Sequence, residues 1–115
     1  MARFHTLNVY HLAREVLRAL AQITSQMDGF GDLVPQMRRA AVSIISNIGE
    51  GAASGSDRQF ARFLTIARAS TNELQVQLGI ASDLGLLDPG HPIHDRCDHL
   101  GRSLTRLIQT VTGSG

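Results

Sequence analysis

Residues Ser56–Gly85 read SDRQFARFLTIARASTNELQVQLGIASDLG, and this stretch decides the fold class. Phe60, Phe63, Leu64, Ala67, Leu74, Leu78 and Ala81 recur at helical spacing and therefore line one side of a helix. Ser56-Asp57-Arg58-Gln59 is a capping box: the serine hydroxyl can accept from the Gln59 amide while the Gln59 side chain reaches back. Gly85 suits the C-terminal cap of a helix that ends near Leu84. So long an uninterrupted period excludes a strand.

The same pattern extends outward in both directions. Toward the N-terminus, Leu33, Met37, Ala40, Ile44 and Ile48 form a core stripe that Ala41 and Ile45 widen. Asp32 is the expected N-cap and Pro35 fits the first turn. The run Gly49-Glu50-Gly51-Ala52-Ala53-Ser54-Gly55 is expected to end that helix. Further back, Leu7 to Met27 carries Tyr10, Ala13, Leu17, Leu20 and Met27 on one face and Leu12, Val16, Ala19 and Ile23 on an adjacent one. Two apolar faces are more than one bundle core takes, which predicts self-association. Asp28-Gly29-Phe30-Gly31 breaks this helix. Toward the C-terminus, Asp88-Pro89-Gly90 is turn chemistry. Pro92 opens a fourth helix with Leu100, Leu104, Leu107, Ile108 and Val111 on its apolar side. Four long helices on short connections predict an all-α, antiparallel up-down-up-down four-helix bundle, with residues 1–115 as one domain.

Composition agrees. Aromatic residues are 4% and tryptophan is absent, so the core must be aliphatic, and the β-branched and aromatic clusters of an all-β domain are missing. Apolar residues at 43% and charged residues at 18% are ordinary for a globular chain and exclude disorder. The single cysteine, Cys97, excludes an internal disulfide and fits a reducing compartment. Met1-Ala2-Arg3-Phe4-His5 lacks the apolar core of a secretory signal, and no segment approaches the roughly 20 apolar residues of a membrane span. A cytoplasmic protein with no membrane association is expected.

Net charge is only +1, yet every cation is arginine and lysine is absent. A GC-rich genome would give the same bias, but the placement is informative. Arg14/Arg18, Arg58/Arg62 and Arg102/Arg106 are i,i+4 pairs on predicted helix faces, so local basic stripes can exist on a nearly neutral protein.

Catalytic and metal chemistry find little support. The glycine run Gly49–Gly55 lacks the preceding strand and the lysine of a phosphate loop. Ser43 and Ser46 have no histidine near them in sequence, no Gly-x-Ser-x-Gly elbow exists, and no arginine is followed four to six residues later by histidine, a spacing seen in some helical RNases. His91, His94, Cys97, Asp98 and His99 cluster at the start of the fourth helix, and His94, Cys97 and Asp98 could share a face. The cluster lies at an exposed helix start, however, where Asp95 and Asp98 complement the dipole, so no metal, cofactor or catalytic residue is assigned.

The richest polar set spans the second and third helices. Arg39, Ser43, Asn47 and Glu50 follow one stripe of the second. Arg62, Arg68, Ser70 and Glu73 interrupt the apolar third. If the two form a hairpin turning near Ser54, Glu50 stands level with Arg58 or Arg62, and Glu73 with Gln36 to Arg39. Interhelical ion pairs that fix the register are expected there.

Three blocks, FHTLNVY (Phe4–Tyr10), QMRRAAVSIISNIGEG (Gln36–Gly51) and FARFLTIARASTNEL (Phe60–Leu74), in this order and spacing, resemble a bacterial four-helix-bundle family. That family was first noted as proteins encoded by intervening sequences in large-subunit ribosomal RNA genes. The resemblance spans nearly the whole chain. It implies a bundle that assembles as a homopentamer. Similar proteins act as accessory factors in diversity-generating retroelements, beside a reverse transcriptase and nucleic acid. By position, Arg39, Ser43, Asn47, Glu50, Gly51, Arg68, Ser70 and Glu73 occupy the family's signature places, while Ile45 stands where the family often has proline.

The functional expectation is a non-enzymatic, oligomeric binding protein with RNA or a ribonucleoprotein as partner. Arg14, Arg18, Arg58, Arg62, Arg102 and Arg106 are its candidate phosphate contacts. The competing expectation is a protein-interaction scaffold, for example an accessory to a nucleic-acid-processing protein such as a reverse transcriptase, that never touches nucleic acid.

Overall fold

Four α-helices, and no strand among the described residues, make up the computed structural model, which describes residues 2–27 and 29–113. They are α1 (Ala2–Thr24), α2 (Leu33–Ala53), α3 (Asp57–Asp83) and α4 (Pro92–Thr112). Each packs on its neighbours in the chain, and α1 closes the ring against α4. Among the described residues the diagonal pairs α1/α3 and α2/α4 bring no Cα atoms within 8 Å of each other. At 1.5 Å per residue the 27 residues of α3 span about 40 Å, which matches the 43 Å long axis.

The capping chemistry accounts for most helix ends. The Ser56 hydroxyl accepts from the Gln59 amide at 3.2 Å, the expected half of the capping box. Beyond α3, Gly85 takes φ +77°, its amide donates to the Ser82 carbonyl, and the Leu86 amide donates to the Ala81 carbonyl. Those two bonds are a Schellman motif. The Gly90 amide donates to Asp88 Oδ1 at 2.8 Å, and Pro92 is the first residue of α4.

Several boundaries differ from the expectation. α1 begins five residues before Leu7, because residues 2–6 hold neither glycine nor proline. It stops three residues short of Met27, where Thr24 and Ser25 turn their hydroxyls onto the carbonyls of Leu20 (2.7 Å) and Gln22 (2.8 Å). Gly29, Phe30 and Gly31 then all adopt positive φ. Asp28, expected in the same break, lies outside the described residues. Asp32 does hold the N-cap position of α2, but its side chain makes no cap bond. Its backbone (φ −87°, ψ 3°) is not extended as a capping residue's normally is.

The glycine run ends α2, as expected, but late: the helix continues through Gly49 and Gly51 to Ala53. Gly51 is buried because α3 crosses it closely: a Cβ there would lie 3.0 Å from Phe60 Cδ1 and 3.0 Å from Phe63 Cβ. The helix stops at Ser54, whose hydroxyl donates to the Gly51 carbonyl at 2.6 Å.

The core is aliphatic, as composition required. Leu20, Met37, Ile48, Leu64, Leu74, Leu78, Ile93, Leu100 and Leu104 are fully buried. The two faces of α1 do not leave a surplus. Val9, Ala13, Val16, Ala19 and Leu20 are buried, and Tyr10, Leu12, Leu17, Ile23 and Met27 pack half-buried against them. Apart from Leu7, the exposed large apolar residues lie elsewhere: Phe30 in the first loop, Val42 on α2, Ile66, Val76 and Ile80 on α3, and Leu84 just after it.

The expected interhelical ion pairs do not form. Among the described residues the sole ion pair is Arg102 with Asp98, within α4. Glu50 pairs with neither Arg58 nor Arg62, and Glu73 does not close on Arg39. Exposed side chains of this kind lose little by staying in water. Ser43 Oγ instead meets Ser70 Oγ at 2.8 Å, and Asn47 Nδ2 donates to the Ser43 carbonyl (2.8 Å) and hydroxyl (3.2 Å). A short polar chain and the tight contact at Gly51 hold the α2–α3 register.

Candidate phosphate-contacting groove

Between α3 and α4 a groove of about 640 Å³ lies on the surface around Gly101. Arg68, Asn72 and Gln75 of α3 line one wall; Asp98, Arg102, Thr105 and Arg106 of α4 line the other. Steps of four and three put residues 68, 72 and 75 on one helix face, and 98, 102, 105 and 106 likewise. Gly101 keeps the floor low: a Cβ there would only touch Thr71 Cγ2 at 3.8 Å and Gln75 Oε1 at 3.9 Å. Two hydroxyls are committed to their own helices, Thr71 to the Ala67 carbonyl and Thr105 to the Gly101 carbonyl.

Three guanidinium groups face one carboxylate, so the groove is net positive. Arg102 bonds Asp98 at 2.9 Å, with both side chains more than half exposed. An exposed i,i+4 pair of this sort is worth about 0.3 kcal/mol, so a phosphate can compete for Arg102 at little cost. Guanidinium forks and side-chain amides are the groups that hold phosphate oxygens.

The six arginines expected to contact phosphate do not form one surface. Arg102 and Arg106 lie in the groove. Arg106 also borders the crevice between α1 and α4, beside Asn8, Ser103 and Thr110. Arg58 and Arg62 are exposed near the start of α3, outside the groove lining. Arg14 lies over the Tyr10 ring, 5.7 Å from its centroid, and Tyr10 borders the cleft shared with α2. Arg14 and Arg18 thus belong to α1, diagonal to α3.

Of the signature positions, Arg68 joins the basic groove. Ser43, Asn47 and Ser70 form the polar chain between α2 and α3. Arg39 and Glu73 line opposite walls of a second groove of 420 Å³, with Gln36, Ser43, Ser70 and Gln77. Glu50 is exposed. The residues missed from sequence are Asn72, Gln75 and Thr105. The spacing of Asn72 and Gln75 from Arg68, four and seven residues, is the signal that finds the first two once the polar positions of α3 are taken as a face of their own.

The histidine–cysteine cluster is dispersed by the fold. His91 is the N-cap of α4, its Nδ1 accepting from the Ile93 amide at 3.0 Å. His94 Nε2 lies 3.3 Å from Ser82 Oγ and 3.2 Å from the Asp88 carbonyl. Cys97 points into the core, where burial pushes its thiol up to about 12, far from the thiolate that binds metal or attacks substrates. Among the described residues no three such side chains converge on a metal position, and no helix is long and apolar enough to cross a membrane.

A family model described as 23S rRNA-intervening sequence protein matches residues 5–106. No match is found among curated proteins.

Proposed function

Because the chain belongs to the 23S rRNA-intervening sequence protein family, we propose that it is a non-enzymatic binding protein that takes RNA, or RNA within a ribonucleoprotein, as its partner. The observation that carries this reading is the α3/α4 groove, where Arg68, Arg102 and Arg106 gather on a chain whose net charge is only +1. Phosphate contacts supply most of the affinity in such complexes and bring salt dependence with them. Arg58 and Arg62 at the start of α3 and Arg14 and Arg18 on α1 are separate contacts outside this groove.

In this reading the bundle runs up-down-up-down. The Gly51–Phe60 contact joins the end of α2 to the start of α3 and the Ser43–Ser70 bond joins their midpoints, the register of antiparallel neighbours, which supports it. It acts as a homo-oligomer, a pentamer by resemblance. Supporting self-association is an apolar cleft of 630 Å³ between the start of α1 and the α2–α3 turn, lined by Leu7, Tyr10, Ile48, Ala52 and Phe60, with Leu7 55% exposed at its edge. The cytoplasm is the compartment that a lone buried thiol suits.

The test is a titration of a 23S rRNA fragment at two salt concentrations, with mass in solution measured alongside. Tight, strongly salt-dependent binding by an oligomer is expected. Arg102→Ala/Arg106→Ala should reduce the slope of log K against log salt by about 1.5, since each lost contact removes about 0.7–0.9. An unchanged slope would remove the groove from the interface. No binding at low salt would overturn the RNA reading.

A further inference from the structure

α3 carries two helical seams and only one is used. Phe60, Leu64, Ala67, Thr71, Leu74, Leu78 and Ala81 alternate in steps of four and three and are all buried in the bundle. Ile66, Ala69, Glu73, Val76 and Ile80 alternate in steps of three and four on the opposite side, and all are exposed. Ile66 is 39%, Val76 65% and Ile80 43% open to solvent. Such a 3-4 series is the pattern that receives a second helix. Beside it, α2 presents Val42, 52% exposed, together with Ser46, Gly49 and Ala53, exposed residues small enough to let another backbone approach closely.

The polar groups of this surface specify the visitor. Glu73 is the only ionisable residue in the seam, and it makes no ion pair among the described residues. Arg39 shares its groove without reaching it. One turn further along α3, Gln77 lines the same 420 Å³ groove. It is 93% buried, and its side-chain oxygen has no hydrogen-bond partner. A buried acceptor left without a partner in this way is destabilising. A guanidinium suits both groups, because its five N–H donors can fork onto the exposed Glu73 carboxylate and, once the Gln77 side chain turns its solvent-closed oxygen outward, reach that oxygen too. We propose that the outer face of α2 and α3 docks an amphipathic helix of a partner protein, with apolar side chains along Ile66, Val76 and Ile80 and one arginine between Glu73 and Gln77. This surface is separate from the α3/α4 groove.

The probe is a fluorescein-labelled synthetic helix with leucines at heptad spacing and a single central arginine, titrated against the full-length chain by anisotropy. A second peptide carries glutamate in place of the arginine. The arginine peptide should bind at least about tenfold more tightly than the glutamate peptide, because like charges across an interface select against the wrong partner. Glu73→Arg, at an exposed position, should invert that preference. Gln77→Leu should weaken the arginine peptide severalfold while helical content is kept. Equal binding of the two peptides, or a preference that Glu73→Arg leaves unchanged, overturns the proposal. So does Ile80→Arg turning an oligomer into a monomer, which would show that a second copy of this chain covers the face.

Discussion

Two glycines of α2, Gly49 and Gly51, offer a controlled measurement of how closely the second and third helices pack. Both lie in the same helix, two residues apart, so replacing either with alanine brings the same conformational gain, about 1 kcal/mol. Their surroundings differ. A Cβ on Gly49 would meet nothing within 4 Å, whereas on Gly51 it would sit 3.0 Å from both Phe60 Cδ1 and Phe63 Cβ and 3.4 Å from the Phe60 carbonyl oxygen. Carbon pairs are comfortable at about 3.5–4.0 Å. The Phe60 ring can swing aside, but the Phe63 Cβ is fixed to the backbone of α3, so relief requires a shift of the helix. Overpacking of this kind costs about 1–3 kcal/mol. Gly49→Ala should therefore stabilise the protein by about 1 kcal/mol. Gly51→Ala should come out destabilised by about 1 kcal/mol once its helical gain is subtracted. For a chain of this length that separates the two melting temperatures by roughly 6–12 °C, readily seen by circular dichroism at 222 nm, with urea titrations to confirm it. If Gly51→Ala stabilised as much as Gly49→Ala, the close crossing of α2 and α3 would be wrong.

Two further outcomes follow from the capping and core chemistry. Ser56→Ala removes a cap bond and should cost about 1 kcal/mol, while Asp32→Ala, which removes none, should change stability by only a few tenths; urea midpoints of the two variants check this, and equal losses would contradict it. Burial holds the Cys97 thiol protonated, with its pKa raised from 9.0 to about 12. Above pH 9 the unfolded chain loses that proton and the native one does not, so this group's stabilisation falls by about 1.4 kcal/mol per pH unit up to pH 12. Unfolding curves at pH 8, 9, 10 and 11 should show wild type losing ground to Cys97→Ala step by step, and parallel pH profiles would refute the assignment.

The helices and the core were legible in the sequence because burial imposes a period on it. Leu33, Met37, Ala40, Ile44 and Ile48 could only be one face of α2, and Phe60 to Ala81 only one face of α3. Features that depend on what stands opposite were not legible. Gly51 reads as a helix breaker in isolation, and only the crossing of Phe60 and Phe63 shows it to be the residue that lets two helices meet. Asp32 has the right chemistry for a cap but not the backbone angles. Glu50 and Glu73 were expected to pair with arginines at the same height, yet height along the axis does not fix the direction in which an exposed side chain points. The α3/α4 groove was half visible: Arg102 and Arg106 stood out as a charged pair, whereas Asn72 and Gln75, uncharged and spread along an apolar helix, did not. The outer seam of α3 was masked by the inner one, since both carry aliphatic residues at the same spacing.

The ring order of the helices bears on how the chain assembles. Three of its four helix–helix contacts join neighbours in sequence and close short loops, so they form at small entropic expense. The fourth, α1 with α4, ties together residues nearly a whole chain apart. It carries the largest loop-closure cost of the four, which makes it the natural first place for the native state to come open. A ligand that bridges Arg68 of α3 and Arg102 of α4 would hold α4 in the place where α1 must meet it, so occupancy of the groove and persistence of the closed ring would rise together.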